Sequence, residues 1–253
     1  MESVTHHPFI VFVLTFVFLA IASVVGASLR RQYPTVTADH KEDLGVILAG
    51  TLTLLALIIG FSFAMATARY DERKKFEAAE ASATRTEILR ADLLQPAEAA
   101  RVRKLLAEYL DQRILFYGIN DTSRRAQMAQ RTSQLEADLW AAVREAATAQ
   151  PTPVVALVVT GMNDVFKSQD DAQAADWNRI PVAAWLLMTA IALCCAVLLG
   201  YQAHSSRRLT LVLPLVVAVA FYLIADIDTP RHGLIHVGPE NLEGVAKSLG
   251  HRQ

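Results

Sequence analysis

The sequence has no cysteine outside one adjacent pair, Cys194 and Cys195, among its 253 residues. Because neighbouring cysteines cannot join distant parts of a chain, a framework of disulfides is excluded. The sequence also lacks an excess of charge, since 24 basic side chains stand against 25 acidic ones and the net charge is −1. Such a chain offers no broad basic surface to neutralise a nucleic-acid backbone. We therefore expect no nucleic-acid partner.

Signatures of catalysis and metal binding are missing as well. The sequence contains no glycine-rich phosphate loop, no His-Glu-x-x-His zinc helix and no nucleophile elbow. His232 and His236 have the spacing of two ligands on one helical face, but Pro230, Gly233 and Gly238 predict irregular backbone around them. We predict no enzymatic activity, no catalytic residue, no metal site and no cofactor.

Long apolar runs without charge are the main feature of the chain, which is 53% hydrophobic. Residues 8–29 and 44–68 form two such runs, and at about 1.5 Å rise per residue each exceeds the roughly 30 Å thickness of membrane hydrocarbon. Residues 180–203 and 209–225 form two more, which a short polar stretch joins into a predicted antiparallel hairpin. Pro214 should kink the last run. The first run has one alternative interpretation, a cleaved signal peptide, which its poorly basic start disfavours.

Residues 69–178 have a different pattern, with apolar side chains at the three- and four-residue spacing of amphipathic helices and no alternation of period two. This predicts a water-soluble domain of four helices, the first continuing the second membrane helix to about residue 94. Arg73 with Glu77 and Glu87 with Arg90 should form solvated pairs on that helix. The fold class is therefore all-α, with membrane helices 1 and 2 in residues 1–68, the helical domain in 69–178, the membrane hairpin in 179–227 and a tail in 228–253.

Four membrane helices would place both termini and the helical domain on the same side of the membrane. More Lys and Arg residues flank that side than flank the two short connections. Since positively charged flanks favour the cytoplasm, we predict a multi-pass protein of the cell (inner) membrane with both termini cytoplasmic.

Two carboxylates, Asp226 and Asp228, come directly at the end of the last apolar run. Carboxylates at that depth need partners. They either pair with Arg side chains to fix how the membrane helices meet, or form a cation site or charged ring at a pore mouth. The predicted charged cluster at the membrane edge consists of Arg69, Glu72, Arg73, Asp226, Asp228 and Arg231.

One face of the second membrane helix leads down to Arg69. The face serves either as a packing surface or as a pore lining, because apolar constrictions gate by dewetting and nearby Arg or Lys side chains favour anions. Conduction would require a ring of subunits, since four helices cannot enclose both a pore and a packed core. The candidate pore-lining residues are Thr51, Ile58, Phe61, Ser62 and Met65.

Three stretches, IIGFSFAMATARYDERKKFEAAEASA at 58–83, LLGYQA at 198–203 and ADIDTPRHGLIHVGPENL at 225–242, resemble the bestrophin-like family of bacterial membrane proteins. Thr229 stands where that family usually has Arg. The resemblance implies kinship with true bestrophins, which are pentameric anion channels whose second membrane helix lines a narrow apolar neck. It implies a homo-oligomer in the lipid bilayer that passes chloride or other small anions. The competing hypothesis is a non-conducting scaffold or sensor that presents the helical domain to a partner.

Overall fold

The structure, a computed structural model, describes residues 7–32, 38–119, 121–202, 209–230 and 233–250. Those residues contain α-helices and two short 3-10 turns, at Ala91–Leu93 and Leu209–Leu211, and no strand, which confirms the all-α class. The helices are α1 (Pro8–Gln32), α2 (Ala38–Arg90), α3 (Pro96–Gly118), α4 (Thr122–Ala149), α5 (Pro153–Trp177), α6 (Val182–Gln202), α7 (Val212–Asp228) and α8 (Glu240–Gly250).

Residues 1–69 and 179–236 form one compact unit that contains α1, α6, α7 and the apolar part of α2. Helices α6 and α7 each pack mainly against α1 and have little direct contact with each other. A Cβ atom on Gly26 would overlap the Val197 carbonyl, and one on Gly200 would overlap the Ser23 carbonyl. The two glycines therefore allow α1 and α6 to approach closely. The direct packing expected of the hairpin is weaker than predicted, because each of its helices uses its packing face for α1.

Among the described residues, the stretches Pro8–Gln32, Glu42–Leu93 and Pro153–Gln202 each contain a segment long and apolar enough to cross a membrane. Helix α7 has 17 residues and is therefore only about 25 Å long. It begins at Val212, three residues later than the predicted run. Pro214 consequently lies in the first helical turn, where its missing N–H would have no partner, so the expected kink has no physical cause.

Residues 70–178 and 237–253 form a second compact unit, built from the polar part of α2 with α3, α4, α5 and α8. The sequence predicts helices from Pro96 to about Gly118, from Thr122 to about Thr148 and after residues 150–153. These bounds are close to the observed ones, because Pro96 and Pro153 begin two helices and Asp121 caps a third. The apolar stripes form the core. The helical period also predicts Trp140 on the inward face with Leu139 and Val143, but Trp140 is 38% exposed. The most deeply buried members are Val102, Leu106, Tyr109, Leu139, Val143, Val158, Met162 and Val165.

Helix α8 was not predicted from the sequence, and its Leu242 is buried in the core of the second unit. The Glu77 carboxylate caps its N-terminus: Oε1 accepts hydrogen bonds from the Asn241 and Leu242 backbone N–H groups at 3.0 and 3.1 Å. Oε2 accepts one from the Asn241 side-chain amide at 2.5 Å. Glu77 is fully buried and Arg73 is 5% exposed. The prediction of a solvated pair was therefore wrong, because the tail covers this face of α2.

Candidate functional site

The carboxylate pair at the end of α7 is buried, and each member binds backbone N–H groups of the first unit. Asp226 is 2% exposed. Its Oδ1 accepts a hydrogen bond from the Leu234 N–H at 2.8 Å, and its Oδ2 accepts one from the Ile235 N–H at 2.9 Å. Hydrogen bonds to an ionised carboxylate are about twice as strong as neutral ones. Asp226 therefore fixes the segment after α7 against the end of that helix.

Gly233 lies between the two carboxylates and the Leu234-Ile235 pair, at a position that has no room for a side chain. A Cβ atom at this position would lie 2.6 Å from the Asp226 backbone oxygen and 2.7 Å from its Oδ1. No side chain fits there without displacing the segment. One consequence of the arrangement is that Leu234, an apolar side chain, is held on the surface of the protomer with 82% of its area exposed.

Replacing Gly233 by Ala should lower the free energy of unfolding by about 1–3 kcal/mol, the usual cost of forcing atoms into a filled site. Thermal unfolding of the purified protein measures this. Gly244→Ala is the matched control, because nothing lies within 4 Å of a Cβ atom there. An alanine inside α8 should instead stabilise the protein by about 0.5–1 kcal/mol. Equal effects of the two substitutions would contradict the close packing of Gly233 on Asp226.

Asp228 is 5% exposed and links three elements of the first unit. Both of its side-chain oxygens accept from the Ile180 N–H, at 3.2 Å each, where the chain enters α6. Arg69 Nη1 on α2 lies 3.7 Å from Asp228 Oδ1, which is an ion pair but too long for a hydrogen bond. The pair agrees with the structural interpretation of the charged cluster.

Three further residues belong to the predicted charged cluster. Glu72 is exposed and Arg73 is buried, and both belong to the second unit. Arg231 lies outside the described residues. Within the described residues, no group of three or more His, Cys, Asp or Glu side chains could hold a metal ion. Within the first unit, the structure shows Arg69 paired with Asp228, and both carboxylates bound to backbone N–H groups near the end of α7.

The apolar part of α2 is buried in its protomer along one narrow line only. This line consists of Leu48, Leu55, Ser62 and Ala66, each at most 7% exposed. Most other faces of the helix are exposed apolar surface, which a membrane helix covers with lipid or with other helices.

The five candidate pore-lining residues fall on different sides of α2. Ser62 is buried, and the half-buried Thr51 donates its hydroxyl to the Ile47 and Leu48 carbonyls of its own helix, at 2.9 and 3.0 Å. Phe61 and Met65 are 64% and 41% exposed, and Ile58 is half-buried. Phe61 and Met65 leave the largest side-chain surfaces for an axis between subunits, and Ile58 and Thr51 leave smaller ones. The seven-residue spacing of Leu48, Leu55 and Ser62 was the sequence signal for the packed line.

The interior of the second unit contains a buried ion pair that sequence reasoning missed. Glu80 and Arg113 are 0% and 1% exposed. Arg113 donates from Nε to Glu80 Oε1 and from Nη2 to Oε2, the latter at 3.2 Å, and the Tyr117 hydroxyl donates to Oε2 at 3.3 Å. Burial alone would lower the pKa of Arg113, but the charge and hydrogen bonds of Glu80 raise it above its ordinary value.

Comparison with known proteins identifies the fold. The Bestrophin-like domain model matches residues 15–242. A bacterial Bestrophin homolog from Klebsiella pneumoniae, solved by Zn-SAD phasing, is similar with a TM-score of 0.65 and 12% identity, over 95% of this chain and 96% of that one. A point mutant of that homolog gives a TM-score of 0.65 and 12% identity, over 94% and 97%. No curated protein sequence matches closely enough to count as a relative.

Proposed function

The chain belongs to the bestrophin-like family, and from that premise we propose that copies of it form an oligomeric channel for chloride or other small anions. The copies, five if they assemble as true bestrophins do, surround an axis lined by α2. Four helices, including α7, cross the inner membrane in each copy. Both termini and the helical unit face the cytoplasm, and the proposal needs no cofactor, no catalytic residue and no nucleic acid.

The observation that carries this proposal is the exposure of α2. Its apolar part touches the rest of the protomer along one line, whereas Phe61 and Met65 present large apolar surfaces on another side. A helix attached in this way can meet equivalent helices around an axis without unpacking its own protomer. Rings of Phe61 and Met65 would then form a narrow apolar neck that passes ions only when it is hydrated.

Selectivity for anions receives less support from the two arginines than the sequence suggested. Arg69 is engaged with Asp228, and Arg73 is buried. Neither guanidinium is presented freely on the protomer surface. The anion preference therefore rests on kinship with the bestrophins, and flux assays should compare chloride with potassium to test it separately from conduction.

Replacing Phe61 by Ala should widen the neck and raise the rate of chloride efflux from liposomes several-fold over the wild type. Phe63→Ala is the matched control, because this side chain is 43% exposed on the same helix but lies about 200° around it. The control should leave the rate unchanged. If Phe61→Ala has no effect in a conducting protein, Phe61 does not line the pore.

An intact oligomer that carries neither anions nor cations would overturn the channel proposal. The competing hypothesis, a membrane scaffold or sensor, would then be favoured. In that case, residues 69–178 would be the part to test for partner binding, because they make up most of the helical unit.

A further inference from the structure

Glu87 occupies an unusual position in the second unit, on the face of α2 that packs against α5. Its side chain is fully buried, and neither carboxylate oxygen has a hydrogen-bond partner. Burying an ionised carboxylate is costly unless it is paired and hydrogen-bonded. Burying a neutral carboxylic acid costs far less. The position therefore favours the protonated form of the side chain.

Gly161 on α5 provides the space that Glu87 occupies. A Cβ atom on Gly161 would overlap Glu87 Oε2 and Arg90 Nη1. The glycine thus forms a notch in α5, and the Glu87 carboxyl group fills it. The Glu87 carboxyl group therefore lies in the contact between the two helices, where a change of its charge acts directly on their packing.

Two charged groups act on Glu87. Arg90, on the same helix, places Nη1 4.0 Å from Glu87 Oε2. The same atom lies 3.7 Å from Asp164 Oδ2 on α5, and Asp164 is 59% exposed. Because Asp164 competes for Arg90, this cation offsets a negative charge on Glu87 only in part. Burial, opposed by Arg90 and reinforced by Asp164, raises the pKa of Glu87 to about 8.

We propose that Glu87 is a proton-operated latch between α2 and α5. When protonated, it sits in the Gly161 notch and the helices stay packed; when ionised, it moves toward water and the packing opens. A group whose pKa is raised on folding stabilises the folded state most below its unfolded value and loses that contribution as pH rises through the folded one. Ionisation of Glu87 therefore weakens the closed packing progressively as pH rises from the ordinary carboxyl range to about 8, and the latch is most open above that pH. This inference does not depend on conduction.

Hydrogen–deuterium exchange of the full-length protein in lipid nanodiscs, corrected for the intrinsic effect of pH, tests the latch. In the wild type, peptides covering residues 84–91 and 158–165 should lose protection as pH rises from about 5 to about 8 and should change little above that. Glu87→Gln has the same shape and no charge, so those peptides should stay protected throughout. The same loss of protection in the wild type and in Glu87→Gln would overturn the proposal.

A second variant tests the direction in which the pH dependence of protection should change. Asp164→Asn removes the charge that opposes ionisation of Glu87 and leaves Arg90 to pair with Glu87 alone. The closed packing then tolerates the ionised carboxylate better, so the loss of protection should be smaller and should be complete at lower pH. Glu145→Gln, at a carboxylate that is 71% exposed on α4, is the control and should leave the transition in place. An unchanged transition in Asp164→Asn would overturn the assignment of the transition to Glu87.

Discussion

Replacing Arg113 by Met is expected to lower the free energy of unfolding by about 3–5 kcal/mol, because it leaves the buried Glu80 carboxylate without its cation. Glu80 is inaccessible to solvent, so water cannot compensate. The stacking of the guanidinium on Phe116, with its carbon 4.5 Å from the ring centroid, would be lost as well. Chemical unfolding of the purified protein, followed by circular dichroism, measures the change.

Arg131→Met makes the same substitution in an exposed pair on the same unit, where Nη2 lies 3.5 Å from Glu108 Oε2. It should cost less than about 1 kcal/mol. Adding Glu80→Gln to Arg113→Met should recover part of the loss, since the orphaned charge is then removed. Similar losses from Arg113→Met and Arg131→Met, with no recovery in the double variant, would contradict the importance of the buried pair.

Replacing Asp228 by Ala should also cost about 3–5 kcal/mol, because it removes one partner of a buried charged pair. The variant leaves the buried Arg69 Nη1 without its anion, and it removes both acceptors of the Ile180 N–H. Thermal unfolding measures the loss, and faster hydrogen exchange at the start of α6 would locate it. Asp71→Ala, at an exposed carboxylate on α2, is the control and should change the melting temperature little. A loss no greater than that of the control would show that Asp228 does not fasten these elements.

The helices could be predicted because their apolar residues recur with the helical period and their ends carry recognisable residues. Val102, Leu106 and Tyr109 are buried as that period predicts. The buried face of α2 in the second unit could not be recognised, because it is formed by polar side chains such as Glu77, Glu80 and Glu87. Their burial depends on partners distant in sequence, including α8 for Glu77.

The candidate site was predicted in part for the same reason. Two carboxylates at the end of an apolar run indicate buried charge, and Asp228 does pair with Arg69. Asp226 instead binds two backbone N–H groups, which carry no sequence signal apart from the required Gly233. On α2, helical periodicity grouped Ser62 with Phe61, but only packing in three dimensions shows that Ser62 is buried and Phe61 exposed.

The central claim is that ions pass along an axis lined by α2, and chloride efflux from liposomes containing the intact purified oligomer tests it most directly. We expect efflux well above that of empty liposomes, and a changed rate when Ile58→Arg places a charge in the neck. Efflux no faster than in empty liposomes, across a range of pH and calcium concentrations, would contradict the claim, as would a rate unaffected by Ile58→Arg.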